Sequence, residues 1–161
     1  TKTWHLRTPE NSDLAVIDTP AGLTRQELIS ATRGADAILI PVMPSDIDIH
    51  AVMKCISDLL LVAKIPRPDL KTGIIANRVR ANTRVYGQLK RFLSSLDIPL
   101  VATLRDSQNY TRAFEFGMGI HEMPFSQVKK DIDAWSDIMG WLDRLRERNL
   151  GQPSAIHYLR G

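Results

Sequence analysis

An α/β fold, with a parallel sheet layered by helices, is the class this chain predicts, on three observations. Four short strand-like stretches occur, apolar runs at 14–17, 37–42 and 99–103 and the Ile74-Ile75-Ala76 centre of 71–77, and strands buried on both faces read this way. Between them apolar residues recur at spacings of three and four, so strand and helix alternate as parallel crossover units require. Two runs end on the polar side chains Asp18 and Asn77, at the edge where open parallel sheets bind ligands.

Residues 1–13 are polar, with Pro9 and an Asn11-Ser12-Asp13 turn signal, and read as a linker or the tail of a preceding element. The run 14–22, LAVIDTPAG, then predicts a buried strand that delivers Asp18 to the sheet edge, with a Thr-Pro-Ala-Gly turn directly behind it. Asp18 has two readings. It either caps the following turn or helix, or it serves a hard cation such as Mg²⁺, which takes one or two carboxylates together with waters and phosphate oxygens. Thr24 is the expected N-cap of a helix to about Arg33, with Glu27 at the capping-box position and Gly34 closing it.

The run 37–42, AILIPV, predicts a second strand, and Pro41 argues against its last residues lying in a central ladder. A long helix from Pro44-Ser45-Asp46 to about Lys64 follows, with Ser45 as N-cap and Ile49, Val52, Ile56, Leu59, Leu60 and Ala63 on its inward face. Pro66 and Pro68 mark a turn, 71–77 a third strand, and 78–82 a basic loop. A helix is expected over 83–96, a fourth strand over 99–103, a loop over 104–109 and a helix over 110–116 ended by Gly117. An extended piece at 120–123 and a helix from about 126 to 148 complete the pattern. That helix has Val128, Ile132, Trp135, Ile138, Met139, Leu142 and Leu145 on one stripe. Residues 14–150 thus form one domain and 151–161 a short tail.

The 161 residues are 43% hydrophobic and 24% charged, the balance of a globular protein and not of a disordered or fibrous one. Cys55, the one cysteine, excludes an internal disulfide and any multi-cysteine metal centre, which fits a reducing cytoplasm. The four histidines lack metal-ligand spacing, and no apolar run approaches the ~20 residues that span a bilayer. Net charge is +3, yet between Lys64 and Arg112 ten Lys or Arg face three acids, a surplus of seven. That asymmetry points to a polyanionic partner if the side chains share a face, and to an ordinary solvated surface if they do not.

Taken in order, several of these stretches resemble the ParA family of partitioning ATPases, in the wider group of deviant Walker ATPases that includes MinD. The matching residues are Asp18 to Gly22, Ala35-Asp36, Ile38 to Val42 with Pro44-Ser45, Ile74 to Arg78 (IIANR), and Ala113 to Glu122 (AFEFGMGIHE). They cover most of residues 12–148. The resemblance implies a P-loop NTPase-like fold, with ATP and Mg²⁺ as cofactors. In it Asp18 would be the Walker-B-like acid that holds Mg²⁺ through a water. Gly22 would belong to a switch sensing the γ-phosphate, while Asn77, Arg78 and Arg105 would surround the adenine. The chain departs from the family pattern because it contains no GxxxxGK[ST] loop, so the amide cradle and phosphate-binding lysine of such ATPases have no counterpart here. It also opens at Thr1 without a Met, and the amino-terminal βαβ unit of that fold is expected to lie outside it.

The resemblance further implies an ATP-bound homodimer on non-specific, nucleoid DNA in the cytoplasm. Such a dimer positions a plasmid, chromosome or other cargo through a ParB-like or cargo adaptor. The basic middle third supplies Arg84, Lys90, Arg91 and Arg112 as DNA-contact candidates. Two other functions compete: a non-catalytic interaction module with the same fold, and a MinD-like membrane ATPase. The latter needs an amphipathic terminal helix, which the tail SAIHYLRG is too short to supply.

Overall fold

The computed structural model describes residues 12, 14–20, 22–32, 34–61 and 71–150. The linker expected over most of 1–13, the Pro66/Pro68 turn and the tail after 150 lie outside these residues. The described elements are α1 (Arg25–Thr32), β1 (Ile38–Val42), α2 (Asp46–Leu61), β2 (Thr72–Val79), α3 (Arg84–Ser94), β3 (Leu100–Arg105), α4 (Gln108–Glu115), a 3₁₀ turn (Ile120–Glu122) and α5 (Phe125–Leu150). They fall into two compact units, one of residues 1–35 and 53–70, the other of 36–52 and 71–161.

The second unit carries the sheet. Its strands lie in the order β1-β2-β3, and both pairings are parallel. This is the predicted α/β class, with β2 in the middle and the most buried of the three strands: Ile74, Ile75, Ala76 and Val79 are buried. Pro41 pairs opposite Ile75 in a strand that has one neighbour among the described residues, where a missing N–H is tolerated.

One face of this sheet packs on α5. Ile75, Ala102, Leu104 and Ile138 form a buried cluster against which Leu39, Val101, Ala134, Trp135 and Leu142 pack. A second cluster, of Ala113, Ile120, Met123 and Val128, ties α4 and the 3₁₀ turn to the first turns of α5. Trp135 belongs to both, and its indole N–H donates to the Tyr110 hydroxyl at 3.2 Å, so the ring fills the seam without orphaning its polar atom. Of the expected stripe on α5, Met139 lies outside the core, 47% exposed. No helix among the described residues is long and apolar enough to cross a membrane.

Local signals set the helix starts. Thr24 and Glu27 form the expected reciprocal box, in which the Thr24 N–H donates to Glu27 Oε2 at 2.9 Å and the Glu27 N–H to Thr24 Oγ1 at 3.3 Å. Ser45 Oγ accepts the Asp48 N–H at 3.1 Å, and Thr83 and Ser107 cap α3 and α4 in the same way. On α2, Val52, Ile56 and Leu59 are buried as the periodicity requires.

The expected buried strand at 14–18 is not formed. Residues 14–20 have no regular structure, and Leu14, Val16 and Ile17 are exposed. An apolar run becomes a strand only where ladder partners satisfy its N–H and C=O groups, and no such partner pairs with it among the described residues. The extended piece expected at 120–123 is a 3₁₀ turn instead, closed by the Glu122 N–H donating to the Gly119 carbonyl at 3.0 Å. Strands β2 and β3 both run two residues further than expected. Arg78, Val79, Leu104 and Arg105 thereby move from loops into the ladder.

Candidate functional site at the carboxyl edge of the sheet

Because all three strands are parallel, their carboxyl ends share one edge, formed by the residues after Val42, Val79 and Arg105. The register of β2 against β3 breaks between Ala76 and Val79, and within that irregularity Arg78 takes φ +50°. Side chains other than glycine seldom occupy this left-handed region, at a cost of about 1 kcal/mol or more. A bulge of this kind re-aims a side chain at a sheet rim. Asn77 is half-buried beside it, and its Oδ1 accepts the Arg78 N–H at 3.0 Å, which leaves the amide nitrogen as a donor.

Two carboxylates fix the arginines of this edge. Asp106 receives Arg80 Nε on Oδ2 at 2.7 Å, and Arg78 Nε lies 3.6 Å from its Oδ1. The hydrogen bond from Arg80, with the charges of both arginines, holds the Asp106 carboxyl below the usual range. Asp131 has no exposure at all. It accepts Arg105 Nε at 2.6 Å and Nη2 at 2.9 Å, Asn109 Nδ2 at 2.8 Å and Ser107 Oγ at 3.4 Å. Burial pushes its carboxyl up, but the bonds from Arg105 and Asn109 outweigh that and bring it below its ordinary value. The bidentate fork locks the end of β3 and the start of α4 to α5.

The expected site residues therefore divide. Asn77, Arg78 and Arg105 all belong to this edge, but Arg105 is 45% exposed and spends two of its donors on Asp131. Asp18 and Gly22 lie in the other unit, both exposed. Gly22 adopts φ +72° with open space where a Cβ would stand, a backbone state that glycine enters without strain. Arg84, Lys90 and Arg91 are exposed on α3, and Arg112 on α4.

The sequence singles out neither Asp131 nor Arg80 as a site residue, and only the first carries a signal. Asp131 falls three residues after Val128 and seven before Ile138, on the inward stripe of α5, where a carboxylate has to be paired. Arg80 looked like any residue of a basic loop. No group of three or more His, Cys, Asp or Glu that could hold a metal ion occurs among the described residues. A Mg²⁺ ion bound through one carboxylate, waters and phosphates needs no such group.

A parallel α/β sheet with arginines and an amide gathered at its carboxyl edge is the class of structure that the fold defines. No family model matches the chain. Over 114 residues, 70% of its length, the chain is 25% identical to the "Maintenance of carboxysome distribution protein A" of Halothiobacillus neapolitanus (strain ATCC 23641 / c2). It spans about half of that protein, 52%.

Proposed function

We propose that the chain is part of a ParA-like positioning ATPase. In this reading the ATP-bound dimer associates with non-specific DNA and distributes a large cargo through an adaptor protein. The similarity to a carboxysome distribution protein over 114 residues carries the reading, and the parallel sheet with its polar carboxyl edge agrees with it. A carboxysome-like assembly joins plasmids and chromosomes as a candidate cargo, and a nucleoid-associated place in the cell follows.

In this reading the base side of a nucleotide lies at this edge. The Asn77 amide has an acceptor fixed by the Arg78 N–H and a nitrogen left to donate, the pair of functions that reads adenine, with Arg78 and Arg105 flanking it. Asp18 would hold Mg²⁺ through a water, and Gly22 would let the switch turn rearrange when the γ-phosphate is present. When bound, ATP and Mg²⁺ supply the phosphoryl chemistry. The phosphate cradle has no counterpart in these 161 residues, which contain no GxxxxGK[ST].

The test is titration of the full-length protein with a fluorescent ATP analogue, with and without Mg²⁺. We expect Mg²⁺-dependent binding that Asp18→Ala weakens about tenfold, the loss of one charge-assisted contact of about 1.4 kcal/mol. Absence of binding would overturn the ATPase reading in favour of a non-catalytic interaction module.

A further inference from the structure

From Arg78 to Leu96 the chain carries five basic residues and no acid. The connection from β2 to α3 is held in one shape. Thr83 Oγ1 donates to the Arg80 carbonyl at 3.0 Å and accepts the Tyr86 N–H at 3.3 Å, and Asn82 takes φ +64°. Against it lies a shallow, open depression of about 110 Å³ lined by Pro44, Arg78, Arg80, Thr83 and Val85. Pockets for drug-sized ligands hold about 300–1,000 Å³, so this one has room for a phosphate-sized group and not for a nucleoside.

Arg80 is the donor this depression presents. Its side chain is 77% exposed, and Nε is committed to Asp106 at 2.7 Å. Its Nη groups have no hydrogen-bond partner among the described residues. A guanidinium pinned through Nε points its Nη edge in a fixed direction, which is how arginine is preorganised for a phosphate oxygen. Asp106 subtracts one charge but fixes the geometry. Beyond Arg80 the positive charge continues along α3, where exposed Arg84 and Arg91 stand seven residues apart, about 10.5 Å along one helix stripe. A single free phosphate would use only the depression. An extended polyanion uses the depression and the helix together.

We propose that Arg80, positioned by Asp106, grips a backbone phosphate of a nucleic acid, and that this contact is continuous with the basic face of α3. The inference rests on the DNA-associating reading above and deepens it. It adds a contact at the β2–α3 connection, and a positioning role for Asp106, to a surface otherwise assigned to α3 and α4.

The experiment is fluorescence anisotropy of the full-length, ATP-loaded protein on a 30-bp mixed-sequence duplex over a range of salt concentrations, beside titration of the fluorescent ATP analogue. Arg80→Gln should lower the slope of log affinity against log salt by about 1, and affinity by about eightfold at 0.1 M salt, as expected for one counterion fewer released. Nucleotide affinity should be unchanged. Arg80→Lys, which keeps the charge, should keep the slope. An unchanged slope in Arg80→Gln overturns the clamp while leaving the DNA reading in place, and so does an equal loss in both variants. Weakened nucleotide binding with intact duplex binding overturns it in favour of the nucleotide site. A wild-type protein that binds no duplex overturns the DNA reading together with the clamp.

Discussion

At the scale of single residues, Asp131 matters most, because a buried carboxylate with four polar contacts is costly to leave half-made. Asp131→Ala removes one acceptor from the Asn109 amide, which keeps the Gln127 carbonyl at 3.0 Å, and the acceptor of the Ser107 hydroxyl, while the half-exposed Arg105 can be solvated again. The cost should therefore sit near the lower end for broken buried pairs, about 2–3 kcal/mol, read as a lower midpoint in urea denaturation. The same residue predicts a pH dependence. Its folded-state carboxyl lies below its unfolded value of about 3.9. Its stabilising contribution is thus complete above that value and is lost as pH falls through the lower, folded one. The stability gap between wild type and Asp131→Asn should be constant from neutral pH to about pH 5 and close progressively below about pH 4. A gap that persists unchanged to pH 2 would show that the carboxylate charge contributes nothing.

At the scale of elements, β2 depends on a residue with no side chain. A Cβ on Gly73 would stand 2.3 Å from Val101 Cγ2, closer than real atoms approach, and 3.1 Å from Trp141 Cζ2, a tight contact. Val101 is β-branched and stiff at χ1, so the strain cannot be relieved by one rotamer change. Gly73→Ala should cost about 1–3 kcal/mol, the range for overpacking, with the denaturant slope unchanged. Elements fixed by short-range chemistry were legible in the sequence: the Thr24–Glu27 box, the Ser45 cap, the apolar face of α2, and the strands starting near Ile38, Thr72 and Leu100. Those that depend on distant partners were not. Leu14 to Ile17 have the composition of a strand and no ladder, and the true ends of β2 and β3 are set by pairing that carries Arg78 and Arg105 into the sheet. The site was half legible for the same reason. Asn77 could be placed at the end of its strand, while Arg78 and Arg105 were expected in loops, and the ion pairs that commit the two arginines join residues 26 or more apart.

At the scale of the whole molecule, the proposed activity has to be divided between these 161 residues and the rest of an ATPase. The chain matches about half of its carboxysome-distribution relative, and in the proposed reading Asn77, Arg78 and Arg105 serve the base, with Asp18 for Mg²⁺ and Gly22 for the switch. In P-loop proteins the phosphates are held by a run of backbone amides and a lysine, charge-assisted contacts roughly twice as strong as the neutral bonds that read a base. An amide and two arginines, one of them already bidentate to Asp131, cannot replace them. We therefore expect the isolated 161-residue chain to show no measurable Mg²⁺-dependent affinity for the fluorescent ATP analogue, while the full-length protein binds it in the micromolar range or tighter. The comparison needs equal folding of the two samples, which urea denaturation followed by circular dichroism reports independently of any nucleotide. Affinity retained by the isolated chain would mean that the edge formed by Asn77, Arg78 and Arg105 binds nucleotide without a P-loop. That outcome would move the protein out of the ParA-like class proposed for it.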